Sequence, residues 1–211
     1  AFQKRYMADV PVTDSKFRKQ TGTLSTDEGI FPTTAEGLAK LKPVKEGGTV
    51  TFGGQTHPAD GNAGAIVTTR ERARAVATDP GIEVEILGFG MARVEAGYMP
   101  MAPSPAAFNA LKNAGLSISD VAAIKTHNPF AVNDIALARD TGFAWERMNN
   151  YGSSIIWGHP QAPTGMRAII ELIEELVLRG GGVGLFTGCA AGDTGYATVL
   201  RVTDSKNTSK A

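Results

Sequence analysis

The chain has 211 residues, 42% of them hydrophobic and 20% charged, a length and balance that suit one domain or one and a half of an ordinary soluble globular protein. Its formal charge is zero, so nothing argues for nucleic acid or an anionic membrane surface as partner, and no apolar run approaches the ~18 residues needed to span a bilayer. A single cysteine, Cys189, excludes an intramolecular disulfide and suits a reducing, cytoplasmic setting.

The opening AFQKRYMADVPV lacks the long apolar core of a signal peptide. It also lacks a leading Met, so a processed chain or a fragment is expected. Residues 1–57 are polar and weakly periodic, and read as loop-rich structure with a short helix over 34–41 that Pro43 stops. GAIVTT (64–69) is short and β-branched and predicts a buried strand. RERARAVA (70–77) predicts a helix ended by Asp79, Pro80 and Gly81, and the alternation in 82–94 predicts a strand. An amphipathic helix is predicted over 105–114, with Gly115 as its C-cap. VAAIKTH (121–127) reads as a strand whose end carries His127, followed by a helix over 130–140. The clearest helix is 164–179, where Met166, Ile169, Ile170, Ile173, Leu176 and Val177 repeat at helical spacing. Two strands, 182–188 and 195–202, close the chain, with Cys189 opening the loop between them and a frayed tail from 204. Alternating helices and strands make the fold class α/β.

Three reactive groups fall at turns. His127 ends a strand, His159 sits in a Gly-His-Pro turn ahead of a helix, and Cys189 follows a strand. Taken singly, each has a bland reading: a hydrogen-bonded structural histidine, or a cysteine acting as a small buried hydrophobe. Together they are more pointed, because ligands of α/β sheets bind beyond the strand ends, and a thiol beside an imidazole is a source of nucleophile or acid/base. Gly188 and Gly192 allow close backbone approach, and free N–H groups there could bind an oxyanion. A cysteine in a Gly-rich turn suits proton shuttling as well as attack.

Five ordered blocks then resemble the thiolases, which cleave or form 3-oxoacyl-CoA thioesters. LKPVKEGGTVTFGGQTHPADGNAGA (41–65), APSPAAFNALKNAGLSISDV (102–121), HNPFA (127–131), NNYGSSIIWGHPQAPTG (149–165) and GCAAGDTGYA (188–197) are similar, in order, to blocks of the family's C-terminal half. The resemblance implies a mixed sheet between layers of helices. It implies that residues 1–57 finish a loop domain over the CoA site, that 58–80 add a strand and a helix to a first core domain, and that 81–203 form the second core domain. It gives His159 the role of activating a nucleophilic cysteine and binding the thioester oxygen. Cys189 becomes the acid/base at the acyl α-carbon. His127 becomes part of one oxyanion hole, and the Ala191 amide, beside Gly192, part of a second. Thr56 falls near the pantetheine and Met99 near the acyl pocket. No permanently bound cofactor or metal is implied, with coenzyme A as cosubstrate.

The departures matter equally. The family's nucleophilic cysteine belongs to an N-terminal half this chain does not contain, and Cys189 cannot fill both roles. The N-terminal half, as a second chain or a cleaved piece, is therefore an expected partner, in an oligomer of the assembled unit. Asn128, Pro129, Ala162, Pro163, Ala191 and Asp193 replace family residues around the site without removing His159, Cys189 or the His127 position. A non-catalytic thiolase-like subunit is the alternative. A 3-ketoacyl synthase is disfavoured, since it uses histidine where this chain has Cys189.

Overall fold

The structure, a computed structural model, describes residues 2–206. In chain order it has β1 (Val10–Thr13), β2 (Gln20–Leu24), α1 (Ala35–Ala39), α2 (Arg70–Val76), β3 (Ile82–Arg93), α3 (Pro103–Ala114), β4 (Val121–His127), α4 (Ala131–Thr141), α5 (Ser154–Trp157), α6 (Thr164–Leu178), β5 (Gly181–Ala190) and β6 (Thr194–Asp204). Strands β3 to β6 form one sheet in the order β3-β6-β5-β4. The pairings β3/β6 and β5/β6 are antiparallel and β4/β5 is parallel, so the sheet is mixed. The parallel pair needs a long crossover, and α4, α5 and α6 supply it.

Helices cover both faces of that sheet. On one side Ala106, Ala107, Ala110 and Leu111 of α3 and Leu137 of α4 pack on Ile124, Leu185, Ala197 and Val199. On the other, Ala168, Leu172 and Leu176 of α6 pack on Ala123, Phe186, Leu200 and Val202. Successive residues of β4 and β5 thus serve opposite cores, which is why both read as nearly continuous apolar runs. Helix α3 opens with Pro103 and Pro105 and ends on Gly115 at φ 68°, a left-handed cap that takes up carbonyls of the last turn. Its small residues lie against backbone. A Cβ added at Gly90 of β3 would come 2.3 Å from both the Ala106 carbonyl and the Ala110 amide.

A buried ion pair ties α6 to the sheet. Lys125 Nζ of β4 lies 2.6 Å from Glu171 of α6, the two side chains 1% and 2% exposed. Lys125 also donates to the Gly152 carbonyl, so the ammonium is hydrogen-bonded as well as paired. No helix among the described residues is long and apolar enough to cross a membrane.

The structure corrects four sequence expectations. Residues 61–69 form no strand, and Ile66 and Val67 are 84% and 75% exposed. A strand needs a neighbour for its ladder, and the segment meets none. Residues 10–24, expected to be irregular, form the β1/β2 hairpin, closed by the Asp14 carboxylate accepting the Lys16 and Arg18 amides. Its strands are almost wholly exposed and so lack the apolar alternation that would announce them. Strand β5 runs through Cys189 to Ala190 because its ladder with β6 continues to Ala190↔Thr194. Only residues 191–193 turn. Asp204 ends β6 rather than opening a tail, and 207–211 lie outside the described residues.

Gly90→Ala is expected to destabilise the chain by about 3 kcal/mol, since α3 must move off β3 to admit the methyl. Urea unfolding would show a lower midpoint at unchanged slope.

Candidate active site

The cleft lies where β4 and β5 end side by side. Their parallel register sets His127 opposite Gly188, with Cys189 one residue further on. The N-terminus of α6 reaches the same edge of the sheet, preceded by the Gly158-His159-Pro160 turn. The cleft occupies about 350 Å³. His127, His159, Thr164, Cys189 and Ala191 line it, together with the aromatic Phe186 and Tyr196.

The imidazoles of His127 and His159 meet face to face, their centroids 4.4 Å apart and their planes tilted by 32°. His127 Nδ1 lies 2.8 Å from Ser154 Oγ, and His159 Nδ1 lies 2.7 Å from Thr164 Oγ1. Burial pushes His127 down to about 4, helped by the nearby His159 and Arg167. Burial also lowers His159. Both rings are therefore neutral near pH 7, which lets two imidazoles share one wall without like-charge repulsion. Burial raises the Cys189 thiol, while the Asn133 side chain and the backbone, hydrogen-bonded to it, pull the other way. Cys189 is accordingly a thiol, not a thiolate, at neutral pH.

The Gly-His-Pro turn has a physical reason. Gly158 has φ 81°, and a Cβ there would come 2.6 Å from the Ala59 methyl. Residues 55–59 lace across the site: Gln55 bridges Phe130, Pro58 bridges His159, and the His159 amide donates to the His57 carbonyl at 2.8 Å. Glycine lets this strap lie against the turn, and the strap holds the His159 backbone.

The remaining sequence candidates divide. Ala191 is on the cleft wall; Gly192 is not, and at φ 82° it shapes the turn behind it. Thr56 is off the wall. Its amide donates to the Pro129 carbonyl, and its hydroxyl donates to the Ser154 carbonyl. Met99 also lies off the wall, in the short turn Met99–Met101 before α3.

Sequence reasoning missed three supports. Asn133 of α4 donates to the Pro100 carbonyl at 3.2 Å and meets the Cys189 thiol. Ser154 holds His127. Asp134 accepts hydrogen bonds from Thr126, Asn128 and Asn149 and so fixes the end of β4. All are polar residues beside apolar ones, and the only signal in the chain was their position near the histidines. Asp193 explains one departure noted above: at φ 58° it occupies a glycine-like conformation, and its carboxylate accepts the Gly97 amide at 3.0 Å.

Residues 81–202 match the family model described as "Thiolase, C-terminal domain". The chain belongs to the thiolase family. It is 36% identical over 194 residues to an acetyl-CoA acetyltransferase of Syntrophomonas wolfei, covering 90% of this chain and 48% of that protein. It is 34% identical to the mouse peroxisomal 3-ketoacyl-CoA thiolase A, again over 90% of this chain and 46% of that one. Among solved structures, the Bacillus anthracis acetyl-CoA acetyltransferase superposes with a TM-score of 0.79 at 30% identity, covering 92% of this chain and 49% of that chain. Human mitochondrial 3-ketoacyl-CoA thiolase in complex with CoA gives 0.74 at 30% identity, over 86% and 46%. The chain thus spans about half the length of the thiolases it matches.

The neutral state of His127 has a measurable consequence. Between about 6.5 and about 4 the unfolded chain binds the His127 proton and the folded chain does not, so folding stability is lost as the pH falls through that window. In His127→Gln that contribution disappears. Denaturation midpoints taken from about pH 7 down to about pH 4.5 should fall less steeply in the variant than in the parent.

Proposed function

We propose that this chain supplies the acid/base half of a thiolase-type acyl-CoA acyltransferase, which cleaves 3-oxoacyl-CoA with coenzyme A or runs the reverse Claisen condensation. One observation carries the reading. In a chain of the thiolase family, a protonated thiol and two neutral imidazoles line a single cleft at the end of a parallel strand pair.

The nucleophilic cysteine comes from the first half of the assembled protein, which completes the site. His159 takes the proton from that cysteine, and the thiolate attacks the 3-oxo carbon of the substrate. The oxyanion formed there is met by hydrogen-bond donors at the cleft wall. As the tetrahedral adduct collapses, the bond between C2 and C3 breaks and its electron pair passes to C2. Cys189, held as a thiol by burial, gives its proton to C2, and the shortened acyl-CoA leaves. The other oxyanion, on the thioester of that leaving group, is met by donors of the same wall. His127 Nε2 and the Ala191 amide are our assignments for these holes. The Cys189 thiolate then takes the proton of the coenzyme A thiol as its sulfur attacks the acyl-enzyme, and the nucleophilic cysteine leaves and takes its own proton back from His159. In the condensation direction the same thiolate removes the C2 proton.

Thr56 and Met99 take no part in the proton transfers. Thr56 acts through the strap it anchors to α5, and Met99 lies on the turn that carries Pro100, the carbonyl partner of Asn133. We place residues 1–57 over the CoA approach and residues 81–203 as the core that carries the site. Residues 58–80, whose apolar Ile66 and Val67 lie open to solvent, belong against the first half. The assembled unit is taken to be an oligomer.

Co-purification with the polypeptide bearing the first half, followed by native mass spectrometry, should show both halves in one particle. That particle should thiolyse a short 3-oxoacyl-CoA, and Cys189→Ala should lower kcat by about a thousandfold, the scale general acid–base catalysis supplies. An unchanged rate in Cys189→Ala would instead make the chain a non-catalytic thiolase-like subunit.

A further inference from the structure

The two imidazoles of the cleft are each tied at Nδ1 to a buried hydroxyl, of which only one lines the cleft. Thr164, bonded to His159, is 2% exposed and is on the cleft wall. Ser154, bonded to His127, is 3% exposed and is not on that wall. A buried hydroxyl has to give its one proton to an acceptor. Among the described residues, the partner within reach of Ser154 Oγ is His127 Nδ1. The Ser154 O–H therefore donates, Nδ1 accepts, and the proton of the neutral ring sits on Nε2. Thr164 is as buried but lines the cleft, so a group entering the cleft can accept its O–H. Its oxygen is then free to accept from His159 Nδ1–H, which leaves the lone pair on His159 Nε2.

Ser154 itself is held. Its carbonyl accepts both the Thr56 hydroxyl and the Gly158 amide, the latter at 2.9 Å. The strap across the site and the Gly-His-Pro turn thus converge on the residue that orients His127.

We propose that Ser154 is a positioning residue that fixes His127 as the Nε2–H tautomer, so that two stacked imidazoles of one cleft take opposite parts. His127 offers a neutral N–H to an oxyanion, and His159 offers a lone pair to a thiol proton. The roles rest on the function proposed above. The tautomer rests on the hydrogen bonds alone.

The experiment is ring 15N NMR on the full chain labelled at histidine, free and assembled with its first half, with His127 assigned through His127→Gln. The expected pattern is an unprotonated Nδ1 and a protonated Nε2 on His127. In Ser154→Ala the ring should become a mixture of tautomers. In the assembled protein kcat for thiolysis should fall by about tenfold at a KM changed less than about twofold, the loss of a well-aimed oxyanion donor rather than of binding. Ser154→Thr, which keeps the hydroxyl, should restore both the ring pattern and the rate. A protonated Nδ1 in the parent chain, or a Ser154→Ala ring pattern identical to the parent's, overturns the proposal. If the assembled protein shows no thiolysis, the proposed function fails, and the ring signals still decide the tautomer.

Discussion

In the parallel pairing of β4 with β5, His127 stands opposite Gly188, and both strands end at the same edge of the sheet. Everything in the cleft follows from that register. A shift of one residue would turn His127 to the other face and bury it among the residues packed on α3. The register is set by what each face must bury. Ile124 and Leu185 serve one core and Ala123 and Phe186 the other, so a slipped strand would trade large and small side chains between two filled cores. Gly188 then keeps the space beside His127 clear, since a Cβ there would come 2.8 Å from the His127 Cβ.

The crossover between these strands has to return the chain to the sheet edge with His159 in place. The segment between α4 and α6 does so, α6 then leads from the cleft to the start of β5, and the Lys125–Glu171 pair fixes α6 against β4. Burial pushes the Lys125 ammonium towards its neutral form, and Glu171 opposes that shift. Two charges taken out of water this completely stabilise little in net terms, but either one left alone would be costly. The pair therefore acts mainly as a register pin between helix and strand. The strap at 55–59 completes the arrangement from the other side, bonding to both the Pro129 loop and the Gly-His-Pro turn.

The electrostatic character of the cleft comes from burial rather than from charge. Its histidines are neutral and its cysteine is a thiol, because each has lost water without gaining an oppositely charged partner, and Arg167 adds to the shift of His127. Such a site suits proton transfers that begin from neutral groups, in which no step starts from an isolated charge in a dry place. It also places the weight of the chemistry on hydrogen-bond direction, hence on the hydroxyls and amides behind the rings.

Much of this was legible in the order of the residues. The spacing of Ile169, Ile173, Leu176 and Val177 gave α6, Gly115 gave the end of α3, and the run VAAIKTH gave β4 with His127 at its tip. His127, His159 and Cys189 stood out together because reactive side chains near strand ends lie where ligands of α/β sheets bind. Local pattern could not give the hairpin at 10–24, whose strands bury almost nothing, nor the fate of 64–69, whose apolar content promised a strand but whose ladder partner was not at hand. It could not give the supports either. Asn133, Ser154 and Thr56 reach the site through contacts formed only once distant segments have packed, 98 positions apart in the case of Thr56 and Ser154. The sequence by itself determined the helices and strands of the 82–202 core and which three groups are chemically notable. Only the tertiary structure decided that they share one cleft, and in which protonation state, because closeness and burial arise from long-range packing, and it is burial that moves the protons.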